Sequence, residues 1–279
     1  ISLNRIRVMK IGFSVATPEV DTPRLPAQQG DFGKNLQVLS DLGYDGVELS
    51  VCRPAELDIA LLEVEVTKRN LEVASIHTAA MGFQDKLWLC HPDDLIRSEA
   101  LDRLKAAIEM AAHFSVDVLV GSFRGQLGNP EVRAQSMTWM RDAFWQAADH
   151  ALKNGVRVLF EPQAKYSVDF GFTAQDGVAF AEELDSAGFG LILDTFHMNI
   201  EDKSFAKSIF DAREHLHYLQ ISDSNRLYPG AGHIDFGEII NALQAIDFDG
   251  YLSLQILREP SYEKSAELGI MHLRSLIGP

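Results

Sequence analysis

Short β-rich runs alternate with longer amphipathic stretches along this 279-residue chain, and that alternation restricts its fold more than any other feature. The runs fall at residues 8–15, 46–51, 73–79, 117–123, 156–162, 190–195, 216–222 and 251–257. Between them lie stretches such as FGKNLQVLSDLG, ELDIALLEVEVTKRN, DDLIRSEALDRLKAAIEMAAHF, VRAQSMTWMRDAFWQAADHALKN and AQDGVAFAEELDSAG. Apolar residues recur in them at the helical spacing of three and four. Glycine or asparagine stops these helices in DLGYDG, KNGVRV and SAGFGL. A strand and an amphipathic helix, repeated eight times, predict an α/β fold: a single (β/α)8 TIM barrel, with residues 1–279 as one domain. A doubly wound open sheet is the lesser alternative.

Barrels of this kind place their chemistry on the loops that follow the strands. Three such loops are long here: ATPEVDTPRLPAQQGD after the first strand, AMGFQDKLWLCHP after the third and SDSNRLYPGAGHID after the seventh. Met81, Phe83 and Trp88 in the second either wall a pocket or pack that loop onto the barrel.

Apolar residues make up 46% of the chain, enough for a large core. With 25 lysines and arginines against 40 acidic residues, the formal charge of -15 repels phosphate backbones, so nucleic acid is not an expected partner. No apolar run approaches the roughly 20 residues that cross a bilayer, so no membrane partner is expected either. The opening ISLNRIRVMKIGFSV lacks a small-residue cleavage pattern and reads as a first strand, which makes cytoplasmic the expected location. Cys52 and Cys90 read as free thiols. A homo-oligomer is compatible with the sequence.

Four oxygen-bearing side chains stand at the ends of four successive strands: Glu161 in LFEP, Asp194 in LILDTFHMN, Gln220 in YLQISDSNR and Gln255 in YLSLQIL. In a parallel barrel they converge on one spot. Asp194 also has the position of a helix cap. His197 follows it by three residues and can reach the same site. His77 ends the third strand and is a candidate for substrate contact or for packing. Lys165 reads as a solvated loop charge, His233 and Asp235 as groups that fix a loop and cap the next helix, and Glu48 as a hydrogen-bonding partner behind the site. No Gly-rich phosphate loop and no nucleophile elbow is present.

The segments FEPQAKYSVDF, LDTFHMNIED and HYLQISDSNRLYPGAGHIDFGEII, with GYDGVELS near the second strand, make the chain resemble the sugar isomerase and epimerase superfamily. That superfamily has the xylose isomerase-like TIM barrel and includes tagatose and psicose 3-epimerase-type enzymes and inosose isomerases. The resemblance covers essentially the whole chain. It implies a carbohydrate or polyol substrate held over a divalent metal, Mn²⁺ or Mg²⁺. It also implies that Glu161 and Asp194 are metal ligands, that His197 contacts substrate hydroxyls and that Arg226 in DSNR binds substrate oxygens.

Two positions depart from the family pattern. Gln220 stands where the family has a metal-ligating histidine, and Gln255 where it has a glutamate that is both ligand and catalytic acid/base. An amide does not exchange protons at useful rates, so two-base epimerisation is disfavoured. Glu161 then becomes the expected base for proton transfer next to a carbonyl, with His197, Arg226 or a metal facing the oxyanion. Amide oxygens turned inward would leave a weaker, all-oxygen metal site at Glu161, Asp194, Gln220 and Gln255. Amides bonded to the carboxylates would close the site without metal.

In the enzyme reading Arg226, His77 and Gln255 are the expected substrate-binding residues. Two other readings compete with an isomerase or lyase. One is a divergent sugar-binding subunit that has lost the reaction. The other is a DNA-repair endonuclease on the same barrel, a class that holds several zinc ions with many histidines, which the charge of -15 and the two glutamines disfavour.

Overall fold

The computed structural model describes residues 9–278. The first residue of the run at 8–15, and most of the opening segment weighed as a leader, lie outside them. Eight strands follow in chain order: β1 (Lys10–Ala16), β2 (Gly46–Ser50), β3 (Glu72–His77), β4 (Val118–Val120), β5 (Val158–Phe160), β6 (Phe189–Asp194), β7 (Leu216–Ile221) and β8 (Tyr251–Leu254). Each pairs in parallel with the next, and β8 pairs with β1, so the sheet closes into a barrel. Closure excludes the open-sheet alternative.

The main helices are α1 (Phe32–Leu42), α2 (Ile59–Thr67), α4 (Asp94–Phe114), α5 (Pro130–Lys153), α6 (Ala174–Leu184), α8 (Phe205–Ala212), α9 (Phe236–Ala245) and α10 (Tyr262–Ile277). Two short helices, α3 (Ala79–Phe83) and α7 (Thr195–Glu201), lie in the loops after β3 and β6. Gly43 ends α1 at φ 81°, as its sequence context implies. The stop at SAGFGL works differently: Asp185 caps α6 at φ 44°, three residues before Gly188. Gly188 instead permits close approach, since a Cβ there would meet the Ala148 carbonyl at 2.0 Å.

Strand side chains alternate between two environments. Val158, Phe160, Leu191, Leu193, Leu219 and Ile221 pack in the large core that includes the helices. Leu119, Leu159, Ile192 and Tyr218 form a separate buried cluster with Ala74. Glu161, Asp194 and Gln220 share the strand parity of that second cluster, one step nearer the carboxyl ends. The period-two rule thus carries them above the plug that fills the barrel.

Packing fixes β5 beneath Glu161. The Phe160 ring lies 5.5 Å from Phe144 and 5.1 Å from Phe180. The fully buried Arg124 guanidinium sits 4.6 Å from the same ring's centroid. Among the described residues, no helix is long and apolar enough to cross a membrane. Cys52 and Cys90 are buried free thiols, in line with the sequence reading.

Candidate active site

Glu161 leaves β5 at a proline, and its side chain is almost wholly buried. Arg124 donates to the Glu161 main-chain carbonyl at 2.7 Å and to that of Phe170 at 2.9 Å, which holds the chain where it turns out of the barrel. Gln163 Nε2 donates to Glu161 Oε2 at 2.9 Å, while Oε1 is buried with no hydrogen-bond partner. Burial, with the Asp194 charge behind it, pushes the Glu161 pKa up to about 8. This carboxyl therefore holds its proton more tightly than an ordinary one. Gly121 makes room for it: a Cβ there would lie 2.1 Å from Glu161 Oε2.

Asp194 both caps a helix and belongs to the site. Its Oδ1 accepts from the Phe196 N–H at 2.8 Å, which starts α7, and its Oδ2 accepts from Arg226 Nη1 at 2.6 Å. Helix α7 presents His197, whose Nδ1 accepts from the Ala164 N–H at 3.2 Å. Burial lowers the His197 pKa to about 4, so the ring is neutral at pH 7. With Nδ1 accepting, the proton of the neutral ring sits on Nε2, 3.6 Å from Glu161 Oε1. His197 faces the site as a hydrogen-bond donor.

Arg226 follows β7 in a tight turn with φ 63°, and its carbonyl accepts from the Leu257 N–H at 2.8 Å. The turn is held by Asp223, which accepts from the N–H groups of Ser224, Gly230 and Ile234. From there the guanidinium reaches Asp194 with one nitrogen and the Gln255 amide oxygen with the other. Gln255 Nε2 lies 3.4 Å from His77 Nε2, which fixes the amide with its oxygen toward Arg226. Burial lowers the His77 pKa, leaving a neutral ring that can accept from this amide.

Gln220 and Gln255 therefore do not bond to Glu161 or Asp194. Gln220 donates to both oxygens of Glu48, at 3.0 and 2.9 Å, inside a fully buried pair. Glu48 lies behind the site, as read from the sequence, but its partner is Gln220. The Gln255 oxygen, one of the four expected metal ligands, accepts from Arg226 instead; a guanidinium is the stronger local donor.

Glu161, Asp194 and His197 place ligand-type atoms within 4.8 Å of one another. Buried oxygens without partners suit a hard cation, and Glu161 Oε1 and Gln220 Oε1 are both in that state. Glu161 and Asp194 thus fit a divalent ion through oxygen, and the free Gln220 oxygen, on the residue paired with Asp194 in the sheet, is a further donor of the same type. His197 does not fit while its Nδ1 accepts from Ala164, because its Nε2 then carries a proton.

The remaining candidates fall outside this cluster. Lys165 pairs with Glu201 at 3.3 Å, away from Glu161. His233 bonds Ser224 at 2.9 Å and Asp235 caps α9, as their positions in the sequence suggest. Met81 is fully buried in the main core, so it walls no pocket. Phe83 lines a cavity of about 520 Å³ together with His77, Gln163, His197, Arg226 and Gln255. Another cavity of about 530 Å³ opens where the strands begin, but its Glu63 and Asp117 are already paired with His113 and Arg157. Sequence reading missed Arg124, Gln163 and Asp223. Gln163, two residues after Glu161, was within reach of an alternation argument.

The profile of the xylose isomerase-like TIM barrel family matches residues 36–276. A 3-dehydro-D-guloside 4-epimerase of Escherichia coli K12 is 32% identical over 227 residues, covering 78% of this chain and 84% of that protein. An L-ribulose 3-epimerase of Methylomonas sp. strain DH-1 is 29% identical over 219 residues, covering 76% and 74%. The crystal structure of a Methylomonas D-allulose 3-epimerase in complex with D-allulose superposes with a TM-score of 0.80 at 21% identity, over 97% of this chain and 98% of that one. With the matched profile spanning most of its length, this chain belongs to the xylose isomerase-like TIM barrel family.

Proposed function

We propose that the protein is a sugar isomerase or epimerase that moves a proton on a carbon next to a carbonyl of a sugar, keto-sugar or cyclic polyol, with Glu161 as the base. The observation that carries this reading is the free Oε1 of a buried Glu161, facing the donor nitrogen of a neutral His197 at 3.6 Å. The epimerases among the similar proteins support the class of reaction.

As a carboxylate, Glu161 takes the proton from carbon, and the bonding pair moves toward the carbonyl to give an enediolate. His197 Nε2–H and Arg226 are the donors placed to face that oxyanion. Glu161 then delivers the proton along the same face to the neighbouring carbon, while the hydroxyl proton passes to the former carbonyl oxygen and the carbonyl re-forms on the first carbon; return to the first carbon only regenerates the substrate. A second base on the opposite face is not supplied by Gln255, so a one-base transfer suits this chain better than two-base inversion. A divalent ion, Mg²⁺ or Mn²⁺, held by Glu161, Asp194 and Gln220, would supply Lewis-acid stabilisation of the oxyanion.

Incubating the protein with a panel of ketoses in D₂O, with and without Mn²⁺, tests the assignment. The native chain should wash deuterium into the carbon beside the carbonyl, and Glu161→Gln should not. Equal exchange by the two proteins would remove Glu161 as the base. The Gln255 amide also favours a second reading, a sugar-binding subunit without turnover, whose signature is binding without exchange.

A further inference from the structure

The cavity lined by His77, Gln163, His197, Arg226 and Gln255 continues sideways. A second cavity of about 380 Å³ shares Arg24, Phe83, Ser122 and Ser167 with it, so the two adjoin along that edge. Neither Glu161 chemistry nor packing accounts for the second space.

Its wall is aromatic. Trp88 lies parallel to His91, with ring centroids 6.1 Å apart and planes 18° apart, and Phe83 stands between the two cavities. Two glycines let the indole into this position. A Cβ on Gly82 would lie 2.9 Å from Trp88 Nε1, and one on Gly125 would lie 3.0 Å from Trp88 Cβ. Gly125 also has φ 90°, which disfavours any other residue. The indole is only partly buried by the protein. One large aromatic surface is thus held in place and left open beside the reaction site.

We infer that the second cavity binds a ring joined to the sugar that reacts, so the substrate is a glycoside rather than a free monosaccharide. A flat ring with apolar faces and a polar edge would lie against Trp88 and Phe83, with Arg24 and Ser167 along its hydroxyl-bearing edge. A phenolic aglycone and a second sugar share that chemistry. Such stacking adds binding energy at low conformational cost because the wall is already ordered. A free ketose would leave the second cavity empty.

The inference rests on the proposed proton chemistry at Glu161 and restricts it. In a glycoside the anomeric carbon is an acetal, with no free carbonyl. The carbonyl beside which Glu161 works would then be a ring ketone, supplied by prior oxidation of a ring hydroxyl with a hydride acceptor.

Calorimetric titration with methyl and phenyl β-D-glucopyranosides, cellobiose, and the 3-oxo and 4-oxo derivatives of the two glucosides tests this. The native protein should bind phenyl members roughly ten-fold more tightly than methyl members. Trp88→Ala should largely abolish that ratio, while Trp88→Phe, which keeps a ring, should retain most of it. Circular dichroism checks that both variants fold. Cellobiose matching the phenyl glucoside would identify a second sugar as the occupant, and cellobiose binding like the methyl glucoside would identify an aromatic aglycone. Equal phenyl and methyl affinities in the native protein, or a ratio unchanged in Trp88→Ala, would overturn the subsite. Deuterium exchange on the oxo glucosides and on free ketoses separates the two claims. Phenyl preference without exchange refutes the Glu161 chemistry alone, and exchange on ketoses without phenyl preference refutes the subsite alone.

Discussion

Arg226 donates to Asp194 across 2.6 Å and to the Gln255 amide with its other nitrogen, so a fixed cation joins two of the positions at which the family resemblance implies metal ligands. Both members of the ion pair are largely buried, with side-chain exposures of 13% and 0%. A divalent ion at Asp194 has to share that carboxylate with a neighbouring positive charge.

Replacing Arg226 with methionine should accordingly do two opposite things. Sugar affinity should weaken by about 1–3 kcal/mol, the range for a lost hydrogen bond to a charged group. Mn²⁺ affinity should rise, because Asp194 is released. Calorimetry with each ligand reads both, and unchanged Mn²⁺ binding would show that Arg226 and the ion do not compete.

The double change Gln220→His with Gln255→Glu should tighten Mn²⁺ binding by restoring the family's donor types. Gln255→Glu alone should help much less, since the new carboxylate meets Arg226 first and the nitrogen ligand is still missing. Three Mn²⁺ titrations decide this. Tight binding by the natural chain, unimproved in the double variant, would show that the amides do not weaken the site.

With no cation bound, Glu161 stays protonated up to about pH 8 because it is buried beside Asp194. Only its ionised form acts as a base, so kcat/KM in chelator-treated protein should fall as pH drops through that value. Adding Mn²⁺ should move the limb to lower pH by favouring the carboxylate. A limb at the same pH with and without Mn²⁺ would mean that the ion does not meet Glu161.

His217, far from the site, provides a stability test. Burial lowers its pKa from 6.5 to about 4 in the folded protein. A depressed value on a base means that the unfolded chain takes up its proton first. The contribution is whole above pH 6.5 and is lost as pH falls toward 4. Urea midpoints measured across that window should decline less steeply in His217→Gln than in the native chain, and equal slopes would remove His217 from the acid response.

Arg124→Met should cost about 3 kcal/mol or more, because the buried Glu161 carbonyl and the part-buried Phe170 carbonyl lose their donor. Turnover should fall by more than sugar affinity does, since the arginine orients Glu161 without touching the cavity residues above it. A stable variant with native kcat would leave Arg124 a purely structural role.

The eight-fold alternation and the strand-end positions of Glu161, Asp194, Gln220 and Gln255 were legible in the sequence because hydrophobic period and strand parity are local properties. The capping role of Asp194 was legible for the same reason. The partners of these groups were not. Gln220 lies 172 residues from Glu48, and Arg226 reaches back 32 residues to Asp194. Such pairs depend on how far strands are staggered around the barrel, and no local pattern encodes that.

What the sequence determined alone is the fold class and the set of groups brought to the barrel mouth, since alternation and turn chemistry act within a few residues. What only the tertiary structure decided is which of those groups face one another. It turned Gln255 toward Arg226, gave Gln220 to Glu48, set the His197 proton on Nε2 and placed Trp88 beside the reaction cavity. Each outcome depends on distances between chain segments remote in sequence, where burial raises the cost of a missing partner and selects the pairing.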